Sequence, residues 1–309
     1  MTSLSVTLNN GVSMPLLGIG TWKAGPGEVE AALEHALVKT GIRHVDGATI
    51  YRNEQEVGEG IRRALASGAV KREDLFITTK VWPSYWNRVE ESLDNSLRDL
   101  GLDYVDLLLV HWPLGFNPHG NDEFTPKLDN GEFDYDPKYN FKENWAQFEA
   151  VYKNTNKVRS IGVSNFSIPN LEKLLADATV VPVINQVEGH PLLPQRELEK
   201  YCKEKGIVIE AWRPLAALSP LLFENPDIVR IAAKHNVPVG TILISWHLAE
   251  GRSVIPKSVK TSRIDSNAIY APLDKQDLAD IDNLHKTVGI KRFGPSPFGN
   301  GHVHFEDWD

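Results

Sequence analysis

Residues 41–60 read GIRHVDGATIYRNEQEVGEG, and this stretch decides how the rest of the chain is interpreted. A short apolar run that ends at Val45 predicts a β-strand, and Asp46 follows directly after it. A tight loop then carries Tyr51, and Asn53 before a charged first turn is typical of a capped helix start. One strand–loop–helix unit therefore presents a carboxylate and a phenol. A purely structural unit, with a capped helix beside a core tyrosine, gives the same pattern. Whether the carboxylate and the phenol form a functional site therefore depends on which residues at other strand ends lie beside them.

Strand and helix patterns alternate along the whole chain. Eight strands are predicted, at residues 16–20, 43–46, 75–80, 104–110, 158–163, 182–187, 207–211 and 253–256. Helices are predicted at residues 27–39, 54–66, 86–99, 142–154, 168–176, 194–205, 225–235, 238–249, 261–269 and 274–286. Continuous apolar strands, such as LLLV at residues 107–110, are typical of a parallel sheet that is buried on both faces. Eight such units in about 250 residues favour the α/β fold of a (β/α)8 TIM barrel over an open doubly wound sheet.

Three segments lie outside this repeat. Residues 5–14 alternate around Asn9-Asn10-Gly11, which predicts an N-terminal β-hairpin. A long connection at residues 113–141 follows the fourth strand, and a Gly/Pro-rich tail occupies residues 287–309. Both are rich in aromatic residues, namely Phe116, Phe124, Phe133, Tyr135 and Tyr139 in the loop and Phe293, Phe298, Phe305 and Trp308 in the tail. That density favours a folded substrate loop and a folded tail over the barrel mouth. We expect one domain over residues 1–309.

Composition excludes several classes of protein. The chain has 309 residues, a formal net charge of −8 and 41% hydrophobic residues, which is ordinary for a soluble globular protein. We find no clustered basic surface for nucleic acid and no apolar run of about 18 residues for a membrane span. The single cysteine, Cys202, excludes an internal disulfide and fits a reducing compartment. The N-terminus lacks a signal-peptide pattern, so a cytoplasmic protein is expected.

Polar or aromatic residues follow every predicted strand. They are Thr21-Trp22, Asp46, Lys80, His111-Trp112, Ser164-Asn165, Gln186-Glu188, Trp212-Arg213 and Lys257-Ser258. The reactive groups of a TIM barrel collect at the carboxyl ends of its strands. The series therefore predicts an active site at one mouth of the barrel.

Three of these residues, Asp46, Lys80 and His111, make chemical sense together with Tyr51. An unperturbed tyrosine has a pKa of about 10, and a nearby ammonium stabilises the phenolate. We therefore expect Lys80 to lower the pKa of Tyr51, making it a proton donor near neutral pH. A buried lysine needs a counter-charge, which Asp46 supplies, and His111 can donate a hydrogen bond to a substrate oxygen. A purely structural Lys–Asp pair is the alternative for two of the four.

Two further groups predict binding surfaces. Trp22, Trp82 and Trp112 follow three different strands, which favours an apolar substrate pocket over separate packing roles. The chain has neither a Walker A pattern nor a complete G-x-G-x-x-G motif. Instead, Lys257, Ser258 and Arg263 lie at the last loop–helix junction, a place where TIM barrels commonly bind phosphate. Forked arginine donors suit a dianion, so a phosphorylated ribose is the expected ligand. The histidines offer no metal-ligand spacing.

The residues resemble the aldo-keto reductase family almost from end to end. Five blocks match family blocks in family order: HVDGATIYRNEQEVG at 44–58, LGLDYVDLLLVHWP at 100–113, IGVSNF at 161–166, NQVEGHPLLPQ at 185–195 and IPKSVKTSRIDSN at 255–267. Within the family, the chain looks similar to fungal glycerol dehydrogenases and aldose or glyceraldehyde reductases. The resemblance implies a (β/α)8 barrel that binds NADPH across its mouth and reduces carbonyl compounds.

The resemblance also assigns roles to individual residues. Asp46, Tyr51, Lys80 and His111 would be the catalytic tetrad, with Tyr51 the general acid. Contacts to NADPH or NADP would come from Thr21, Trp22, Asp46, Ser164, Asn165, Gln186, Trp212, Arg213, Leu215, Lys257, Ser258, Arg263 and Asn267. Among them, Ser164, Asn165 and Gln186 would hold the carboxamide, Trp212 would stack on the nicotinamide, and the last four would hold the 2′-phosphate and adenine. Trp22, Trp82 and Trp112 would contact a small-molecule aldehyde or alcohol, and a monomer is expected.

The chain departs from the family pattern at three places. Trp212-Arg213 stands where Tyr-Ser is usual, so we expect Arg213 to add a charge contact to the cofactor. Ser266 replaces a frequent Glu beside the adenine-binding Asn267. The loop at 113–141 is longer than in many relatives, so the substrate range does not follow from them.

Two other functions fit the same residues. An NADP-dependent polyol or glycerol dehydrogenase would use the tetrad in the oxidative direction. A cofactor-sensing subunit bound to an ion channel would retain the tetrad while its slow chemistry is secondary.

Overall fold

Eight parallel strands form the central sheet of the computed structural model, which describes residues 4–294, Phe298 and Phe305. The strands are β3 (Gly18–Gly20), β4 (His44–Asp46), β5 (Phe76–Val81), β6 (Leu107–Val110), β7 (Ile161–Ser164), β8 (Ile184–Glu188), β9 (Val208–Trp212) and β10 (Ser253–Val254). Each pairs in parallel with the next along the chain, from β3 to β10. This order confirms the predicted topology.

The first and last strands meet and close the barrel. Leu17 forms a parallel bridge with Val254, and the Val254 N–H donates to Leu16 O at 2.7 Å. The Gly20 N–H donates to Pro256 O at 3.1 Å on the other side of the bridge. Closure removes both sheet edges, so all eight strand ends face one mouth. A predicted hairpin, β1 (Ser5–Thr7) with β2 (Ser13–Pro15), precedes the barrel.

Helices surround the barrel, between successive strands and after β10. They are α1 (Glu28–His35), α2 (Glu54–Ala66), α3 (Val89–Leu100), α4 (Phe141–Asn154), α5 (Ile168–Leu175), α6 (Arg196–Glu204), α7 (Pro220–Phe223), α8 (Pro226–His235), α9 (Val239–Ala249), α10 (Thr261–Asn267), α11 (Lys275–Asp282) and α12 (Leu284–Thr287). None of the described helices is long and apolar enough to cross a membrane.

The helices differ from the predicted ones in three respects. The last predicted helix is divided into α11 and α12, and the sequence did not indicate α7. One turn of π-helix extends α1 from Ala36 to Thr40. Asn53 precedes α2 as expected, but its side chain does not cap the helix. Its amide instead donates to Thr21 O at 2.9 Å, because the end of β3 lies within reach in the barrel.

The long loop after β6 is folded, as its aromatic content predicts. Phe116 pairs with Tyr135 and Lys127 with Phe133 as short antiparallel bridges. Phe298 of the tail lies against this loop, with its ring centroid 5.5 Å from that of Phe116 and 5.2 Å from that of Phe133. The tail therefore reaches the barrel mouth at this point. His302, His304 and Trp308 lie outside the described residues.

Gly58 allows α2 and α3 to approach closely. A Cβ atom at Gly58 would lie 2.3 Å from the carbonyl oxygen of Leu100, the last residue of α3. Neither helix backbone can relieve that overlap without moving, because both also pack on the barrel. The absence of a side chain at Gly58 is therefore a packing requirement.

Gly58→Ala should destabilise the protein by about 2 kcal/mol or more in urea-induced unfolding, because overpacking outweighs the gain in helix propensity. Gly25→Ala is the matched control. A Cβ at Gly25 would meet only the end of the Glu28 side chain, at 3.0 Å, and that side chain can move. Equal unfolding midpoints for the two variants would contradict the packing requirement.

Candidate active site

The loop after β4 carries the first two predicted catalytic residues. Asp46 is the last residue of β4 and is buried, and Tyr51 ends a short 3-10 turn that begins at Thr49. The hydroxyl of Thr21 donates to Asp46 O at 2.9 Å, which joins the end of β3 to the end of β4. Thr21 thus contacts the site through the backbone of Asp46.

Lys80 contacts both Asp46 and Tyr51. It lies on β5, its side chain is buried, and its Nζ lies 2.7 Å from Asp46 Oδ1. The same ammonium donates to Gly47 O at 2.9 Å and to the Tyr51 hydroxyl at 3.3 Å. All three donors of the ammonium have acceptors, as a buried cation requires.

Burial changes the expected acidity of Tyr51. Desolvation raises the pKa of Tyr51, the nearby Lys80 charge lowers it, Asp46 raises it again, and the net shift is upward. Lys80 therefore acts on this pKa in the predicted direction, but the expected net decrease is not found, because burial outweighs the ammonium. Lys80 stays charged: burial lowers its pKa, but Asp46 and Tyr51 outweigh burial and raise it. Tyr51 is thus a protonated phenol at neutral pH, as a proton donor must be.

His111 faces Tyr51 across the mouth. The centroids of the two rings are 5.8 Å apart and the rings are nearly perpendicular. Burial, together with the charge of Lys80, holds the pKa of His111 well below its usual value. Its Nδ1 is buried without a hydrogen-bond partner in the described part of the chain. A neutral imidazole of this kind can donate one N–H to a substrate oxygen.

A series of side-chain hydrogen bonds connects the residues predicted to bind the carboxamide. The side-chain amide of Asn165 donates to His111 O at 3.0 Å and to Ser164 Oγ at 3.1 Å. Ser164 Oγ donates to Gln186 O at 2.8 Å, and Asn165 Oδ1 accepts from the Trp212 indole at 3.1 Å. The structure therefore brings β7, β8 and β9 residues together beside His111.

Gln186 also connects the tetrad to a carboxylate that sequence reasoning missed. Its amide donates to Asp46 Oδ1 at 2.8 Å and to Glu210 Oε1 at 2.7 Å. Glu210 is fully buried and accepts from Ser253 Oγ at 2.6 Å. The available signal was a glutamate inside the otherwise apolar strand IVIEA, since buried carboxylates are rare unless they are hydrogen-bonded.

The three predicted pocket tryptophans lie at the same mouth. The Trp82 ring is edge-on to His111 at 5.1 Å, and the Trp22 ring lies 6.5 Å from Tyr51. Trp112 contacts Phe298 of the tail at 5.1 Å. Trp82 and Trp112 are buried, whereas Trp22 is 42% exposed and forms an open side of the mouth.

Arg213 occupies a confined position between two of these rings. It adopts a left-handed conformation with φ of 54°, and its guanidinium carbon lies 5.4 Å from the Trp22 centroid and 5.8 Å from that of Trp212. Its Nη1 donates to Phe293 O at 2.7 Å. The cofactor contact predicted for Arg213 stays a prediction. Leu215 packs its side chain against the apolar cluster of α8 and α9.

The residues predicted to bind the 2′-phosphate and adenine lie just before α10 and along it. Lys257 and Arg263 are exposed, Asn267 is buried, and Lys257 Nζ donates to Lys23 O at 2.9 Å. Ser258, partly buried, accepts from the Lys260 N–H. In the described part of the chain, neither Lys257 nor Arg263 forms an ion pair with a carboxylate. Two cations without counter-charges fit an anionic ligand.

Glu188 holds the tail against the barrel, a role that its strand-end position did not reveal. It is fully buried and accepts hydrogen bonds from the Phe293 N–H at 2.8 Å and the Gly294 N–H at 3.0 Å. His190 Nε2 lies 3.2 Å from it. Burial raises the pKa of Glu188, but the hydrogen bond and charge of His190 with the other donors outweigh burial and lower it.

Glu188→Gln should lower the free energy of unfolding by about 1–3 kcal/mol at pH 7, because two backbone N–H groups lose a charged acceptor. The folded-state pKa of Glu188 lies below the unfolded value of about 4.3. The carboxylate therefore stabilises the fold above that pH and ceases to do so as pH falls further. The difference between wild type and Glu188→Gln should shrink below about pH 4.

Urea unfolding at several pH values measures this difference. Glu224→Gln is the control, since Glu224 is exposed and follows α7. A Glu188→Gln deficit that does not change between pH 7 and pH 3 would show that the charge of Glu188 is unimportant.

Comparison with known proteins agrees with this geometry. The profile of the Aldo/keto reductase family matches residues 16–286. D-galacturonate reductase of Hypocrea jecorina is 48% identical over 97% of each chain. Glycerol 2-dehydrogenase (NADP(+)) of Saccharomyces cerevisiae is 43% identical over 93% of this chain and 92% of its own. The structure of the aldose reductase from Schistosoma japonicum superposes with a TM-score of 0.88 at 31% identity, covering 99% of this chain and 98% of that one. The chain belongs to the aldo/keto reductase family and is an oxidoreductase.

Proposed function

We propose that the protein reduces aldehydes to alcohols with NADPH and that Tyr51 donates the proton. The observation that carries the proposal is the contact of the Lys80 ammonium with both Asp46 and the Tyr51 hydroxyl, at 2.7 and 3.3 Å. Family membership supports carbonyl reduction in general. Tyr51 as donor rests on this contact and on the raised pKa that keeps the phenol protonated.

The chain's own groups account for the proton transfer and for binding of the carbonyl oxygen. The oxygen would lie between the Tyr51 hydroxyl and His111, where negative charge develops during reduction and fixed donors stabilise it. As Tyr51 releases its proton, the adjacent ammonium of Lys80 stabilises the phenolate. Asp46 keeps Lys80 charged and oriented. The buried indole of Trp82 limits the access of water to this space.

NADPH is the proposed cofactor and, when bound, supplies the hydride. Ser164, Asn165 and Gln186 would hold its carboxamide and Trp212 would stack on the nicotinamide ring, with Arg213 adding a cation nearby. Lys257 and Arg263, with Ser258 and Asn267, would hold the 2′-phosphate and adenine. The unpaired cations at α10 support this assignment, as does a relative whose name specifies NADP(+).

Alcohol oxidation is a second candidate, because the same groups serve either direction of the reaction. The glycerol 2-dehydrogenase relative favours it, while the D-galacturonate reductase relative favours reduction of sugar aldehydes. NADPH oxidation with glyceraldehyde, xylose, erythrose, a uronate and an aromatic aldehyde tests the reductive function, and NADP+ reduction with glycerol tests the oxidative one. Tight NADPH binding without turnover of any of them would contradict both.

Tyr51→Phe should lower kcat for glyceraldehyde by about 100-fold to 10,000-fold, since the general acid is lost. NADPH binding, measured by fluorescence titration, should change by less than about twofold, because the phenol contacts the substrate oxygen. Tyr201→Phe on α6 is the matched control and should retain full activity. Parallel loss of NADPH binding and turnover would contradict the role of Tyr51 as proton donor.

Arg263→Ala should weaken NADPH binding by about tenfold or more and leave NADH binding unchanged, because a charge-assisted hydrogen bond to the 2′-phosphate is lost. Arg98→Ala, at the exposed end of α3, is the control. Dissociation constants for both cofactors come from fluorescence titration at low salt. An equal loss for NADPH and NADH would place the effect of Arg263 elsewhere than at the 2′-phosphate.

A further inference from the structure

The indole ring of Trp212 is held at both of its ends. At one end its N–H donates to Asn165 Oδ1 at 3.1 Å. At the other end the ring lies against the backbone of Gly294 in the C-terminal tail. A Cβ atom at Gly294 would be 2.3 Å from Trp212 Cη2 and 2.6 Å from Cζ3, two carbons at the outer edge of the six-membered ring. The ring that is predicted to stack on the nicotinamide therefore touches the tail.

Gly294 is required for space and not for its backbone conformation. Its φ lies outside the left-handed region that favours glycine. A side chain would instead overlap the Trp212 ring on one side and the Glu188 carboxylate on the other, since Glu188 Oε2 is 2.9 Å from the same Cβ position. Protein interiors are close-packed, so neither neighbour can withdraw freely. The absence of a side chain is what allows the tail to reach the ring.

The tail is fixed at this point by several polar contacts. Glu188 accepts hydrogen bonds from the N–H groups of Phe293 and Gly294, at 2.8 and 3.0 Å. Arg213 Nη1 donates to Phe293 O at 2.7 Å, and Arg292 Nη1 lies 3.6 Å from Glu188 Oε2. Because this carboxylate is fully buried, the backbone of Phe293 and Gly294 forms a fixed surface behind the indole.

Contacts farther along the tail belong to the predicted substrate pocket. The ring of Phe298 lies 6.0 Å from that of Trp82 and 5.1 Å from that of Trp112. The contact at Gly294 is different, because Trp212 belongs to the predicted cofactor site. Neither the proposed proton transfer nor the substrate pocket accounts for it.

We propose that Gly294 is a positioning residue for the cofactor, whose backbone keeps the Trp212 ring in the orientation that stacks on the nicotinamide. Stacking depends on how the planes of two rings are placed, so a displaced indole loses much of its contribution. Linkage between binding events is reciprocal, so a nicotinamide on the ring should in turn stabilise the tail at Phe293 and Gly294. The proposal rests on the proposed function, because it assumes that Trp212 stacks on the nicotinamide of NADPH.

Gly294→Ala should weaken NADPH binding about tenfold in calorimetric titration, because the added methyl group displaces the ring. Adenosine 2′,5′-bisphosphate should bind the variant as tightly as it binds wild type, since it carries the 2′-phosphate without the nicotinamide. Gly25→Ala, whose Cβ would meet only the Glu28 side chain, is the matched control and should change neither dissociation constant. Equal losses for the two ligands would overturn the proposal, because Gly294 would then support the fold in general.

Trp212→Phe separates the effect on the ring from the effect on Glu188. Phenylalanine lacks the two indole carbons that a Cβ at Gly294 would overlap, whereas the overlap with Glu188 remains. In the Trp212→Phe background, Gly294→Ala should therefore change the NADPH dissociation constant by less than about twofold. The same loss in both backgrounds would show that Gly294 acts through Glu188, and the proposal would be overturned.

Hydrogen exchange of the wild-type protein provides a readout that needs no variant. The Phe293 and Gly294 N–H groups should exchange about threefold more slowly, or slower still, with saturating NADPH, and at an unchanged rate with adenosine 2′,5′-bisphosphate. An unaltered rate with bound NADPH would contradict the coupling. Wild-type NADPH binding and glyceraldehyde turnover test the proposed function itself. Their absence would overturn that function and this inference together, whereas normal wild-type binding and turnover with an insensitive Gly294→Ala would overturn only the inference.

Discussion

The buried ion pair between Lys80 and Asp46 is the interaction on which the site depends. Removing two charges from water is costly, and the attraction between them compensates only when the remaining donors and acceptors are also satisfied. Here the ammonium has Gly47 O and the Tyr51 hydroxyl as further acceptors, and Asp46 has the Gln186 amide as a second donor. These groups come from β4, β5 and β8. Only a closed barrel brings strands so distant in sequence to one point.

The polar network continues across the barrel interior. The Gln186 amide donates hydrogen bonds to Asp46 and to Glu210 on β9, and Glu210 accepts a hydrogen bond from Ser253 on β10. Each buried polar group gains from its neighbours in a medium of low dielectric constant, and each would be costly alone. The network therefore fixes the register of the strands around the tetrad. A small shift of any strand would leave a buried charge without its partner.

Sequence analysis recovered the features that depend on position along a strand. The eight strands, the closure of the barrel and the convergence of Asp46, Tyr51, Lys80 and His111 all follow from local patterns and from the rule that strand ends share one mouth. It missed what depends on distant neighbours. The Asn53 amide donates to Thr21 O and does not cap α2. Burial has a larger effect than Lys80 on the pKa of Tyr51. Glu188 accepts a hydrogen bond from Phe293, which is more than 100 positions away in the sequence. None of these partners is adjacent in sequence.

Strand β8 connects the predicted catalytic residues to the predicted substrate pocket. Gln186 and Glu188 are two residues apart, so their side chains leave the strand on the same side. Gln186 holds Asp46, while Glu188 holds the tail whose Phe298 packs against Trp82 and Trp112. The tail is attached to the barrel through Glu188, and the loop is attached through hydrogen bonds from the Trp82 indole to Phe124 O and from the Tyr85 hydroxyl to Glu123. Substitutions in those segments can therefore alter which molecules the pocket admits while Lys80, Asp46 and Tyr51 keep their geometry.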